Sequence, residues 1–149
     1  MPLALKKILA LLVGLMVSIG TIALLEQCSH WLYPPTSTPD WQDPSAVAAY
    51  MQSLPVAAYL LVLLAWFSGV VTGIVVATLL VKRVSRLFVV VITAMVWLAT
   101  LANIYMIPHP AWIAATALLL LPVTGWLTGH FLKRCYPHLP ENEVADESP

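Results

Sequence analysis

Four long stretches of this chain contain no Lys, Arg, Asp or Glu, and this feature constrains the fold more than any other. They cover residues 8–25, 56–81, 87–107 and 111–132. The hydrocarbon core of a bilayer is about 30 Å thick and needs roughly 20 apolar residues for each helical span. Lipid offers no hydrogen bonds to the backbone, which favours helices in such segments. The sequence therefore predicts an all-α fold, a four-transmembrane-helix bundle in a single domain over residues 1–135.

The composition excludes several other classes of protein. Only 9% of the residues are charged, 60% are hydrophobic, and the net charge is zero. A soluble domain carries about 25% charged residues, so an ordinary cytosolic enzyme or a disordered chain is excluded. A nucleic-acid-binding protein is excluded as well, because it needs a positive surface to meet the phosphates. The lipid bilayer is the expected partner.

The basic residues predict the orientation of the bundle. With four spans, the N-terminus, the connection between the second and third spans, and the C-terminus share one side of the membrane. All seven basic residues fall there: Lys6, Lys7, Lys82, Arg83, Arg86, Lys133 and Arg134. The positive-inside rule assigns that side to the cytoplasm, so both termini are expected there. A cleaved signal peptide is the alternative for the first span, but its apolar run is longer than usual and lacks a small-residue cleavage site.

Two segments outside the spans have distinct characters. In the outer loop, residues 26–55, Asp43 and Pro44 are typical of a helix start. Apolar residues follow at helical spacing: Val47, Tyr50, Met51 and Leu54. A helix this short cannot span the bilayer, so we expect an interfacial helix. Residues 136–149 are polar and acidic, which predicts a disordered cytoplasmic tail.

Three side chains on the predicted outer side suggest a metal site. Glu26 and His30 are four residues apart and share a helix face if the first helix continues that far. His109 lies in the short turn between the third and fourth spans. Imidazole and carboxylate groups are ligands for transition metals. The alternative is that Glu26 caps the helix or snorkels at the interface while both His residues make hydrogen bonds to loop carbonyls. No other cofactor is predicted.

A mildly polar stripe on the third span suggests a cavity or a pore lining. It consists of Thr93, Trp97, Thr100 and Asn103, and Trp66 of the second span lies at a similar depth near the midplane. Such a stripe is expected to face other helices instead of lipid. Interhelical hydrogen bonding is the alternative role. Pro122 is expected to kink the fourth span and to free the carbonyl of Leu118.

Small residues predict close helix packing in two spans. Gly69 and Gly73 are four residues apart in the second span, as are Gly125 and Gly129 in the fourth. Faces of this kind let helix backbones approach closely in lipid. The pattern is compatible with packing inside one chain, in a homo-oligomer, or against another membrane subunit.

Several motifs occur together in the outer half of the chain. They are Glu26-x-x-x-His30, Tyr33-Pro34-Pro35, Asp43-Pro44, Ser53-Leu54-Pro55, Trp66-x-x-Gly69-x-x-x-Gly73 and Ile107-Pro108-His109-Pro110-x-Trp112. In this order they resemble an uncharacterised family of small four-helix bacterial membrane proteins. The resemblance covers nearly the whole chain except the tail. It implies a bacterial cytoplasmic (inner) membrane, brings no known activity, and directs attention to the polar residues Glu26, His30 and His109.

Two functional hypotheses follow from these patterns. The first is a structural or accessory membrane protein that acts through helix packing, which the small-residue faces favour. The alternative is an oligomeric transporter or channel for small solutes or ions, which the polar stripe favours. An enzyme is not expected, because no nucleophile–base pair or compact metal cluster is evident in the sequence.

Overall fold

A computed structural model of the protein describes residues 2–34, 40 and 42–137, and this part of the chain contains five α-helices. They are α1 (Leu3–Leu32), α2 (Pro44–Ser53), α3 (Val56–Val81), α4 (Arg86–Met106) and α5 (Ala111–Cys135). Within the described residues, every helix except α2 is long and apolar enough to cross a membrane. The predicted all-α fold with four spanning-length helices is confirmed. The predicted tail lies outside the described residues from position 138 onwards.

The helix α1 extends well beyond the apolar run at residues 8–25, beginning at Leu3 and ending at Leu32. Hydropathy detects the part of a helix that lies in hydrocarbon, whereas a helix ends where the backbone can no longer continue. No proline interrupts the chain between Pro2 and Pro34, and the N–H of Tyr33 still donates to the carbonyl of Ser29 at 2.9 Å. The extension places two polar turns at the end of a membrane-length helix.

The helix α2 begins at an aspartate cap. Oδ1 of Asp43 accepts hydrogen bonds from the Ser45 N–H at 2.8 Å and from the Ser45 hydroxyl at 2.7 Å. These bonds lower the pKa of Asp43 below its ordinary value of 3.8. Because the folded pKa is lowered, the cap is fully present at neutral pH and is lost only as the pH falls through that lowered pKa. Val47 is buried and Met51 packs against the core, so α2 is anchored to the bundle.

The connection between α3 and α4 is tight. Lys82 ends α3 in the left-handed conformation, with φ 55° and ψ 39°. The N–H of Arg83 then donates to the carbonyl of Thr78 at 3.3 Å, which satisfies a carbonyl at the end of the helix. The turn reverses the chain within a few residues and makes α3 and α4 antiparallel neighbours.

The helix α3 is the centre of the bundle, because it contacts α1, α4 and α5. Its most extensive packing is along α1, whereas α1 contacts α4 at only a few positions. The largest fully buried side chains of the core are Ile74, Phe88, Ile92, Ile113 and Leu121. The uneven packing leaves room between α1 and α4.

The bundle has two chemically different ends. The loop end is where α1 stops at Leu32, α3 starts at Val56, and residues 107–110 join α4 to α5. The basic end is the opposite one, and the chain's Lys and Arg residues lie there: Lys6, Lys7, Lys82, Arg83, Arg86, Lys133 and Arg134. Acidic side chains among the described residues lie at the loop end. The antiparallel fold therefore places the basic side chains and the described acidic side chains at opposite ends of the bundle, as the charge pattern of the sequence predicts.

Candidate functional site

The loop end contains a cavity of about 180 Å³, here called the vestibule. Its polar lining residues are Glu26, Ser29, His30, Asn103 and His109, and its aromatic lining residues are Tyr33, Tyr50 and Tyr59. They come from α1, α2, α3, α4 and the turn after α4. The vestibule therefore gathers side chains that lie far apart in the sequence.

A second cavity of about 280 Å³ lies between α1, α3 and α4 and is here called the lateral cavity. Much of its lining is aliphatic: Leu15, Ile19, Ile22, Met95, Val96 and Ala99. Its polar lining residues include Ser18 and Thr100, and Trp66 lies on the α3 side. Glu26 and Asn103 line both cavities. The two cavities therefore adjoin at these two side chains.

Glu26 is half-buried where the cavities meet, and the indole of Trp66 holds it in place. Trp66 Nε1 donates to Glu26 Oε1 at 3.2 Å, and Trp66 is only 3% exposed. The chain's Lys and Arg residues lie at the basic end, and Glu26 forms no ion pair within the described part of the chain. Burying a carboxylate is costly unless a counter-charge or hydrogen bonds compensate it. The site thus presents a carboxylate with one hydrogen bond and no protein cation.

His109 belongs to an aromatic cluster beside Glu26. Its ring lies 6.0 Å from the ring of Trp66 and 6.5 Å from that of Tyr59, centroid to centroid. Nδ1 lies 2.7 Å from the carbonyl oxygen of Ile107. A carbonyl only accepts, so Nδ1 carries the hydrogen, and Nε2 of the neutral ring is left as an acceptor. The ring of Trp112 extends the cluster at 6.3 Å from Tyr59.

The structure does not gather the predicted metal ligands into a metal site. Glu26, His30 and His109 all line the vestibule. However, the described residues contain no group of three or more His, Cys, Asp or Glu side chains placed to hold a metal ion. The carboxylate of Glu26 accepts a hydrogen bond from Trp66, and Nδ1 of His109 donates one to the carbonyl of Ile107. The spacing of Glu26 and His30 places them on one helix face, but with His109 they do not form a group that could hold a metal ion.

The predicted polar stripe on α4 divides into two parts. Thr93 and Trp97 face α5: Thr93 lies against Gly125, and Trp97 Nε1 donates to the carbonyl of Leu118 at 3.0 Å. This is the carbonyl that Pro122 leaves without its helical donor. Thr100 and Asn103, one and two turns further along, line the lateral cavity instead. Only the loop-end half of the stripe therefore belongs to the candidate site.

We expect Trp97→Phe to destabilise the protein by about 1 kcal/mol, because it leaves the Leu118 carbonyl unpaired. In a Pro122→Ala background, residue 122 regains its N–H and can satisfy the same carbonyl, so Trp97→Phe should cost clearly less. Thermal unfolding of the four variants in one detergent measures this coupling. An equal cost in both backgrounds would show that the indole hydrogen bond does not serve the proline-freed carbonyl.

Two buried hydroxyl groups in the lateral cavity lack a hydrogen-bond partner in the described part of the chain. Ser18 is 0% exposed and Thr100 is 2% exposed. A helical Ser or Thr can bond to the carbonyl one turn back, as Thr124 and Thr128 do here. An unpaired buried hydroxyl costs about 1–3 kcal/mol. Both hydroxyl oxygens are fully buried behind the cavity surface, so this cost belongs to the packing of the helices.

The four predicted packing glycines all contact neighbouring helices of the same chain. A Cβ on Gly69 would lie 2.5 Å from Ile22 of α1, and one on Gly73 would lie 2.9 Å from the carbonyl oxygen of Gly14. A Cβ on Gly125 or on Gly129 would meet Thr93 or Val89 of α4 at 2.0 and 2.8 Å. These glycine faces are thus occupied inside the bundle. They also hold α3 against α1, and α5 against α4, in close contact towards the basic end.

A third cavity, of about 350 Å³, opens between α4 and α5 at the basic end. Its lining includes Arg86, His130 and Lys133, and the His130 ring stacks on Trp126 with centroids 5.6 Å apart. It shares no lining residue with the vestibule or the lateral cavity. The two ends of the molecule therefore present cavities of opposite charge.

Sequence reasoning found Glu26, His30, His109, Trp66, Thr100 and Asn103 but missed two contributors to the site. Ser18 has the spacing of a packing residue, four after Gly14, and it borders the lateral cavity as well. Tyr59 lies seven residues, or about two helical turns, before Trp66, and its hydroxyl donates to the Met51 carbonyl of α2. That spacing is the signal that places Tyr59 on the cavity face.

The comparisons with known proteins give no match: no family model, no curated protein and no solved structure matches this chain. The function of this chain is therefore inferred from the geometry of its cavities.

Proposed function

We propose that this chain lies in the cytoplasmic membrane of a bacterium, with both termini in the cytoplasm and α2 along the outer interface. The concentration of Lys and Arg at one end of the bundle supports this orientation. The anchored, amphipathic α2 supports an interfacial position for the loop end. In this orientation the vestibule opens towards the outside of the cell.

We further propose that the protein is a non-enzymatic membrane component that binds a small organic cation in the vestibule. The observation that carries this proposal is Glu26, a half-buried carboxylate that has no cationic partner among the described residues. Tyr33, Tyr50 and Tyr59 line the same cavity, and aromatic rings of this kind attract a cation.

The chemistry of the lining favours an ammonium ion over a metal ion. A transition metal in a protein site takes about four ligands at roughly 2 Å, and no such group is present among the described side chains. An organic ammonium ion needs only a counter-charge and apolar or aromatic walls. Glu26 supplies the first, and the aromatic residues of the vestibule supply the second.

Binding is better supported than either of the two sequence-based hypotheses. The glycine faces contact neighbours inside the chain, so they are not free to recruit another subunit. A transport pathway would have to continue from the lateral cavity to the basic end, where Gly14 and Gly73 hold α1 and α3 in close contact. Transport therefore requires these helices to separate during a cycle, and ion flux in proteoliposomes tests for that step.

We expect Glu26→Gln to weaken the binding of ethyltrimethylammonium by about tenfold or more, because the ligand loses a charge-assisted contact in a partly dehydrated site. The amide oxygen of Gln can still accept from Trp66, so the fold should be retained. Equilibrium dialysis against the protein in nanodiscs, with empty nanodiscs subtracted, measures the affinity.

Two controls make this result specific. Asp43→Asn removes an exposed carboxylate at the same end that lines neither cavity, and it should change the affinity by less than about twofold. A neutral probe with a tert-butyl group in place of the trimethylammonium group should bind far more weakly to the unmodified protein. Equal binding of the neutral probe, or unchanged binding in Glu26→Gln, would contradict a cation site.

A further inference from the structure

We propose that the ligand of the vestibule is an amphiphilic ammonium ion, whose head lies at Glu26 and whose apolar body lies in the lateral cavity. The body enters this cavity from the bilayer, between α1 and α4. This inference rests on the proposed cation site and adds to it the class of ligand and the route of entry.

The first observation is that the lateral cavity opens to the outer surface of the bundle. Two of its lining residues, Ile19 of α1 and Met95 of α4, are 65% and 51% exposed. The helices α1 and α4 contact each other at only a few positions. This surface is apolar along membrane-length helices, so it faces lipid chains when the protein spans a bilayer. A hydrocarbon body can therefore reach the cavity without crossing water.

The second observation is that the two cavities meet at the carboxylate. Glu26 and Asn103 line both of them. Along α1, Ser18 lies eight residues before Glu26, which corresponds to about 12 Å at 1.5 Å per residue. A molecule with its charge at Glu26 thus has room for an extended apolar body that reaches the depth of Ser18.

The third observation concerns the chemistry of the cavity wall. Most of its lining is apolar: Leu15, Ile19, Ile22, Met95, Val96 and Ala99. The hydroxyl oxygens of Ser18 and Thr100 are fully buried behind this surface. The cavity is therefore matched to an apolar body.

The chain length of the probe tests the position of the body. Ethyl-, octyl- and dodecyltrimethylammonium are titrated against the protein in nanodiscs, and binding is expressed against the free aqueous concentration. A body that leaves water for the lateral cavity should strengthen binding by roughly fourfold for each added methylene over the first several carbons. An affinity that does not rise with chain length would overturn the inference.

A pair of neighbouring substitutions tests the route of entry. Ala99→Trp fills the lateral cavity, whereas Leu98→Trp adds the same ring at a position that is 53% exposed and lines neither cavity. Ala99→Trp should reduce octyltrimethylammonium binding at least tenfold more than it reduces ethyltrimethylammonium binding. The Leu98→Trp control should not separate the two probes. If Ala99→Trp and Leu98→Trp behave alike, the body does not occupy the lateral cavity.

These results separate the two proposals. If no ammonium probe binds in a manner that depends on Glu26, the proposed cation site itself is wrong. If ethyltrimethylammonium binds and depends on Glu26 but neither chain length nor Ala99→Trp matters, the cation site stands and only the amphiphile inference fails.

Discussion

Gly14→Ala is expected to lower the free energy of unfolding by about 2–3 kcal/mol, because the added methyl group would overlap atoms of α3. Its Cβ would lie 2.7 Å from the carbonyl oxygen of Gly73 and 2.9 Å from Cβ of Ala77. Both atoms belong to rigid parts of α3, so α1 must move away from α3 along their main contact. Equilibrium unfolding in mixed detergent measures the loss.

Gly20→Ala is the matched control, since it makes the same chemical change two turns further along α1. A Cβ at Gly20 meets nothing within 4 Å, so the helix propensity gained from alanine should leave stability unchanged or slightly higher. If the two variants unfold alike, the close α1–α3 approach does not contribute to stability.

Gly125→Ala is expected to destabilise the protein to a similar extent, but a second substitution should rescue it. The added Cβ would lie 2.0 Å from Oγ1 and 3.0 Å from Cγ2 of Thr93. Thr93 is β-branched, so rotation about χ1 does not move both branches away. Thr93→Ala removes both branches and should recover most of the stability lost in Gly125→Ala.

The double-mutant cycle on Gly125 and Thr93 gives the interaction energy directly. The two residues are in contact, so we expect strong non-additivity, of about 2 kcal/mol. Additive effects in this cycle would mean that α4 and α5 adjust without strain at this crossing. Because Thr93 Oγ1 is itself buried and has no hydrogen-bond partner among the described residues, Thr93→Ala alone is expected to be nearly neutral or slightly stabilising.

The structure brings together a site that crosses four elements of the chain. Glu26 is placed by the extension of α1 beyond the apolar run, and Asn103 by the last turns of α4. His109 is placed by a short turn between prolines. The proposed cation site depends on these placements and not on any local motif.

Several features of this protein were predictable from the sequence because they are local. Lipid imposes a minimum length and forbids unpaired backbone groups, so an uncharged run of about 20 residues predicts a helix by itself. Asp43 and Pro44 predict a helix start through the geometry of one turn. The charge separation follows from counting Lys and Arg on alternate connections.

The partners of each polar side chain were not predictable, and Glu26, His30 and His109 illustrate why. In a soluble protein the apolar face of a helix indicates which side points inward, but in lipid both the core and the surroundings are apolar. Thus Ile19 is 65% exposed while Ile92 is fully buried, although both are ordinary membrane-helix residues. The rotation of each helix about its own axis decides whether a polar side chain contacts a ligand, an aromatic ring or a backbone carbonyl.

The sequence by itself determined an all-α chain with four helices long and apolar enough to cross a membrane and with its Lys and Arg residues at one end. Only the tertiary structure decided that Trp97 donates to the carbonyl freed by Pro122 and that Trp66 donates to Glu26. It also decided that the buried hydroxyl groups of Ser18 and Thr100 have no partner within the described part of the chain. The physical reason is that hydropathy and capping act along the chain. Hydrogen bonding across a bundle depends instead on how closely the glycines allow two helices to approach each other. It also depends on which face each helix presents to its neighbour.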